Sequence, residues 1–385
     1  MKRKIRFLLL SALVIVCPML LVACGTPTEI THERDISGEF SDIRFDVYDT
    51  HVRVFAAEGG RTRIEGAMRR GTELTVEVKG GVLSVTVKDN RAWWQKLFRR
   101  MSALTLYLGG SEYGALSIDG GTGDAVIGEG LSFGDISIDI STGDVLLSAE
   151  AARSLAAKTS TGDVSISSVT VLGDLYVKNS TGKAELTGVT ASSVTVEGST
   201  GDATLTDVAA MGAVSIKRST GDVVVTRAAA ASLTAEANTG SMSFTDLATV
   251  GALTVTTTTG RQTYTAVKAA SLTAEADTGG ITLSNATVTG EASLTTSTGD
   301  ITLSGAVAGG AVLIRASTGD VTLERDDAAE LDIETSTGHV EGTLLSEKVF
   351  IARSDTGRID VPETTTGGRC KVVTDTGRIQ LSVVE

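Results

Sequence analysis

The residues best placed to do chemistry together are seven aspartates that recur at one place in a repeat. They are Asp124, Asp144, Asp163, Asp202, Asp222, Asp300 and Asp320, each directly after a Thr-Gly pair. Carboxylates gathered on one edge could hold a hard cation such as calcium, or serve as acid and base on a polysaccharide. Lys183, Arg261, Arg358 and Arg378 take the same slot elsewhere, which a shared metal ladder would not tolerate. Calcium-binding β-roll repeats are also nonapeptides with a different corner. The aspartates therefore read as turn-forming or solvated groups ahead of a cation site, and no metal or cofactor is assigned. Pairs such as Asp144 and Asp163 are products of periodicity, and a repeat of constant length has no long loops to wall a cleft, which sets a polysaccharide-active enzyme last among the readings.

Three other features carry chemical potential. Arg91 to Arg100 holds both tryptophans of the chain, and Trp93, Trp94, Lys96, Phe98, Arg99 and Arg100 suit a membrane interface or an anionic envelope polymer. The alternative is that Trp93, Leu97 and Phe98 plug an open end of the fold while the cations reach water. His32, His51 and His339 fall in unrelated contexts, although His339 takes the aspartate slot. Cys370 stands seven residues before Gly377, where other repeats have Leu155, Leu175 or Val194, and reads as a buried small hydrophobe. Lys2, Arg3, Lys4 and Arg6 head a largely apolar run from Phe7 to Ala23, the layout of an export signal. The run closes on Leu21-Val22-Ala23-Cys24, a lipobox-like sequence that makes Cys24 the lipidated first residue of the mature protein. An uncleaved single transmembrane anchor is the alternative, and either places the rest outside the cytoplasm on a membrane.

What must position these residues is the repeat itself. Thr-Gly recurs in register at Gly123, Gly143, Gly162, Gly182, Gly201, Gly221, Gly240, Gly260, Gly279, Gly299, Gly319, Gly338, Gly357 and Gly377, always 19 or 20 residues apart. Three more Thr-Gly pairs, at Gly188, Gly290 and Gly367, fall out of register and mark other turns. Apolar residues alternate on both sides of each glycine, as Val194, Val196, Ala203 and Leu205 do about Gly201, so each repeat holds two short strands meeting at a Thr-Gly corner. A unit this short cannot bury its inner face alone, so units must stack. The expected fold is all-β, a parallel β-helix of about 14 coils, roughly 65 Å long at about 4.8 Å per coil.

The threonines would form a hydroxyl ladder along the corner. Ice-binding solenoids use Thr-x-Thr on a flat strand, whereas this threonine sits beside glycine, although residues 253–259 are locally of that kind. Residues 35–110 lack the period but alternate as strands, with a hairpin turn at Gly80-Gly81. They are expected to be a β-rich N-terminal cap or irregular coils. The division is then 1–23 signal, 24–34 linker, 35–110 cap and 111–385 repeat domain.

The formal charge is −13, and residues 111–385 hold 17 basic against 35 acidic residues. That excess argues against nucleic acid, where binding depends on neutralising phosphates.

The run Leu104-Thr105-Leu106-Tyr107-Leu108, then Leu116-Ser117-Ile118-Asp119 and the many Ser-Thr-Gly-Asp-Val corners, resembles the bacterial putative adhesin domain family, a family of unknown function. The resemblance covers residues 35 to 385 and implies a β-solenoid envelope protein. It transfers no catalytic residue. The resulting expectation is a non-enzymatic, membrane-anchored rod that binds a surface glycan, matrix or envelope protein, with no small-molecule substrate. The competing reading is a structural or stress-related envelope protein acting by self-association or membrane contact.

Overall fold

The computed structural model describes residues 29–69, 71–90 and 101–384. Among these every regular element is a strand, and pairing is parallel except where the three strands Glu29–Asp35, Arg63–Arg69 and Thr72–Lys79 take part. From Glu112 onward the repeats stack as coils of a β-solenoid of about 13 turns.

Each coil has three sides rather than the two strands expected. Ser193–Thr200 forms the first side and ends at the Thr-Gly corner. Ala203–Ala210 then bends at Asp207, whose φ is 55°, so that residues 203–206 lie on the second side and 208–210 on a short third side. Inward residues of this coil are Val194, Val196, Ala203, Leu205, Val208 and Ala210, none more than 8% exposed. Small aliphatic groups suit such a narrow interior.

The second corner is a ladder of left-handed residues: Ser168, Gly188, Asp207, Arg227, Asp246, Ala266, Asn285, Gly305 and Arg325, with φ between 51° and 65°. Only two are glycine, and Gly188 is one of the out-of-register Thr-Gly pairs. Gly290 belongs to the third corner, and Gly367, at φ 96°, precedes the strand Gly368–Thr376.

The interior also takes polar groups at one slot, three residues before the corner glycine. The Thr296, Thr335 and Thr374 hydroxyls donate to the carbonyls of Gly279, Gly319 and Gly338 at 3.0, 3.2 and 3.1 Å. Arg218 fills the same slot and is 2% exposed, with Nη1 donating to Asn179 Oδ1 at 2.7 Å. A Cβ on Gly198 would lie 1.7 Å from that nitrogen, so glycine leaves the space the guanidinium occupies.

Chain order and stack order differ at both ends. Asp42–Val47 lies between Val82–Asp89 and Glu112–Thr122, and Thr50–Ala56 between Ser102–Leu108 and Ala125–Ile127. The earliest coil is therefore inserted beneath a later one. Thr72–Lys79 pairs antiparallel with Val82–Asp89 through the Gly80-Gly81 turn, and Arg63–Arg69 pairs antiparallel with Ser102–Leu108.

At the other end, Gly368–Thr376 pairs with residues 331–337 on one edge and with Lys348–Thr356 on the other. The coil of Gly377 thus sits between those of Gly338 and Gly357, so stack order departs from chain order. The crossover is fastened by Lys348, whose ammonium is buried against Asp327 at 2.7 Å and also bonds the Ser346 hydroxyl. Thr364 and Thr366 donate to Lys348 and Glu347, holding the returning segment one strand's width from the growing stack.

Asp326, beside this crossover, is 2% exposed and accepts the backbone N–H groups of Ala306 and Glu324 at 2.6 and 2.8 Å. Burial pushes its carboxyl up to about 6 from 3.8. A raised acid contributes stability that is fully present below the unfolded value and lost as pH rises through the folded one. Relative to Asp326→Asn, which does not titrate there, the wild type should gain about 2 to 3 kcal/mol as pH falls from 7 to 4. Paired denaturation curves at those two pH values check this, and a constant difference between the proteins would refute it.

Candidate functional site

The Thr-Gly edge is built from backbone outward. Every corner glycine except Gly357 of the end coil donates its N–H to the threonine carbonyl of the coil stacked next, as Gly221 does to Thr239 at 2.9 Å. The following aspartate then serves the coil after it. Asp124 Oδ1 accepts from Asp144 N at 3.0 Å, Asp144 from Asp163 N at 2.8 Å, and Asp163 from Lys183 N at 2.7 Å. Asp202 accepts from Asp222 N, Asp222 from Ser241 N, Asp300 from Asp320 N, and Asp320 from His339 N, at 2.7 to 3.0 Å. One oxygen of each carboxylate is thus committed to the backbone. Among the described residues no three His, Cys, Asp or Glu side chains are grouped to hold a metal ion.

The same slot holds His339, as its position in the repeat indicates, and corrects the reading of His51. His51 Nδ1 accepts from Asp124 N at 3.1 Å, and His339 Nδ1 accepts from Arg378 N at 2.9 Å. Both imidazoles do the aspartate's work, and His51 begins the ladder. Its corner, Asp49-Thr50-His51, has no glycine, which hid the equivalence. Cys370 is buried, and burial pushes its thiol up to about 12.

Cys24, Trp93, Trp94, Lys96, Phe98, Arg99 and Arg100 lie outside the described residues. Val82–Asp89 and Ser102–Leu108, which flank the aromatic segment, belong to the outermost parallel coil of the N-terminal end. Among the described residues no helix is long and apolar enough to cross a membrane.

An extensive charge-free surface lies on the second side, and sequence reasoning missed it. Outward residues there form two rows: Thr204, Val224, Ser243, Thr263, Thr282, Thr302 and Thr322, and beside them Thr206, Thr226, Thr245, Thr265, Ser284 and Ser304. Residues of neighbouring coils stand about 4.8 Å apart and the rows about 6.6 Å, twice the rise per residue. All are half-buried, as expected of short side chains on a flat sheet. Glu185 precedes this array and Glu324 follows it, and no charged residue interrupts either row between them. Stacked Phe244 and Tyr264, with centroids 5.3 Å apart, stiffen the sheet from inside. Tyr264 donates to Gln262 at 2.7 Å, and burial raises its phenol far above the ordinary value. The array offers a plane of hydroxyls and methyls.

These features define an all-β solenoid that exposes flat, repetitive sides. The chain belongs to the Toastrack DUF4097 family, whose model matches residues 40–204 and 190–312. No curated protein matches it. Solved structures similar to the chain include a putative adhesin from Bacteroides fragilis, at 13% identity and TM-score 0.26, covering 93% of this chain and 99% of that one. A putative cell adhesion protein from Clostridium sporogenes covers 93% and 100% at 8% identity and TM-score 0.20. A putative adhesin from Parabacteroides merdae covers 83% and 97% at 12% identity and TM-score 0.23.

Proposed function

We propose that this protein is a non-enzymatic, extracytoplasmic rod, tethered to a membrane through Cys24, that adheres to a neutral glycan along its second side. The charge-free double row of Thr and Ser, broken only by Val224, supports this reading. Hydroxyls exchange hydrogen bonds with sugar hydroxyls, threonine methyls cover sugar C–H faces, and repetition along the rod multiplies contacts that are individually weak. The rows mix serine with threonine, which favours a hydroxyl-rich polymer over the regular methyl lattice of an ice-binding plane. The basic head and lipobox-like Leu21-Val22-Ala23-Cys24 support the tether.

The test uses the full chain on an array of neutral and acidic glycans, matrix proteins and peptidoglycan. Thr245→Glu with Thr265→Glu should lower binding to neutral glycans at least about tenfold, equivalent to 1.4 kcal/mol. Thr254→Glu, on the first side, should leave it unchanged. Equal losses from both changes, or binding only to protein ligands, would defeat the proposal. Radiolabelled fatty acid should enter the wild type and not Cys24→Ser.

A further inference from the structure

The third corner carries a second pattern. Coil lengths alternate between 20 and 19 residues from Gly162 to Gly299, and the additional residue falls at this corner. Longer coils turn through two residues, Leu172-Gly173, Met211-Gly212, Val250-Gly251 and then Thr289-Gly290, whose exposed first side chain is polar, whereas shorter coils turn through Ser192, Ala231 or Ala270 alone. The stack is kept by bonds such as Gly212 N to Ser192 O at 2.7 Å and Ala231 N to Gly212 O at 2.9 Å. The longer turn pushes its first side chain into solvent. Leu172, Met211 and Val250 are 65, 72 and 86% exposed, an unusual run of large apolar groups on an acidic rod. Knob and gap therefore alternate along one edge over six coils.

This edge borders the narrow third side, whose outward row runs Thr170, Thr190, Ala209, Ala229, Ala248, Lys268. On its far border Asp207 and Arg227 stand on adjacent coils, joined by two bonds of 2.7 and 2.8 Å. Glu150 lies level with Thr170, because its neighbour Ala151 pairs with Val171. The apolar stretch thus has an acid at one end and a cation at the other.

We infer that this face pairs with the same face of a second copy, antiparallel, about a two-fold axis across the rod. Numbering the coils of Leu172 to Ala270 from zero to five, the axis carries each coil to five minus its own number. Leu172 then meets Ala270 of the second copy, Met211 meets Ala231, and Val250 meets Ser192, so every knob faces a gap. Asp207 meets Arg227 in both directions, and Lys268 comes within one coil of Glu150. A parallel pair in register would instead set all three knobs level with knobs and Glu150 level with Glu150. Such an isologous contact closes on itself and forms a dimer rather than a fibre. The strip measures about 24 by 10 Å, well under the roughly 800 Å² per partner of a stable interface. Pairing is accordingly weak and is populated when the rods are crowded together.

Cross-linking tests the register. In the full chain carrying Cys17→Ser and Cys24→Ser, in detergent, buried Cys370 does not compete for a short bis-maleimide. A mixture of Leu172→Cys and Ala270→Cys chains at high concentration should give cross-linked dimer. Either alone should give none, since like positions lie about 24 Å apart along the rod. Adding Met211→Asp to both should reduce the yield at least about tenfold, the effect of 1.4 kcal/mol. Dimer from each variant alone, an absence of dimer from the mixture, or a yield indifferent to Met211→Asp would overturn the inference. The outcome does not depend on glycan binding.

Discussion

Gly240→Ala should break the rod locally, while Thr239→Ala, one residue earlier in the same repeated pair, should leave it intact. Gly240 has φ 144°, and an added Cβ would lie 2.0 Å from the Gly221 carbonyl oxygen and 2.6 Å from its carbon. Both atoms are backbone of the adjacent coil, so no side-chain rotation relieves the clash. The strained conformation costs an L-residue about 1 to 3 kcal/mol, and parting the coils adds about 1 to 3 more. A total of about 2 to 6 kcal/mol is expected. In a stacked array the damage falls on neighbouring coils first. The exposed Thr239 side chain should matter by less than about 0.5 kcal/mol. Denaturant titration with limited proteolysis checks both, with new cleavage near residues 230–250 in Gly240→Ala only. A stable, protease-resistant Gly240→Ala would show that the coils can separate at the corner without loss.

That asymmetry also explains which parts of the fold were legible. The corner glycines announced themselves because nothing else fits where two backbones meet, and the first two sides because inward residues must be apolar at every second place. The second corner left no such mark. Ser168, Asp207, Arg227, Ala266 and Asn285 share a left-handed backbone but no side-chain chemistry, so the third side stayed hidden. Arg218 sits in the core only because Gly198 and Asn179 make room and a partner for it, a relation spread over three coils. The aspartate slot was visible as a pattern, but its bonds to the next backbone require the stack. The hydroxyl array was in plain view as outward Thr and Ser, which an alternating strand shows on any wet face. Only knowing which outward positions share a side turns them into a surface. Order along the stack was least legible, because every coil carries nearly the same pattern and a pattern common to all cannot say which two are neighbours.

The exchanged coils at the C-terminal end therefore supply the sharpest test of the architecture. If coils stacked in chain order, residues 368–383 would be the exposed end and would exchange their amide hydrogens first. In the observed order Gly368–Thr376 is paired on both edges, whereas Lys348–Thr356 is paired on one among the described residues. Cys370, Val372, Ile379 and Leu381 are at most 3% exposed, while Ile351 and Ile359 are 55 and 41% exposed. Amides of 370–376 should exchange at least about 100-fold more slowly than those of 350–356, a local opening difference of about 2.7 kcal/mol. Val372→Ala should destabilise by about 1 to 3 kcal/mol, since it leaves a void between two coils. Ile351→Ala should change stability by about 0.5 kcal/mol or less. Removing residues 368–384 should do far more harm than trimming an end coil, because four buried side chains worth about 1.5 to 3 kcal/mol each leave the core. Two strands that are not paired with each other in the intact rod, residues 331–337 and Lys348–Thr356, would then have to meet. Faster exchange in 370–376 than in 350–356 would return the stack to chain order.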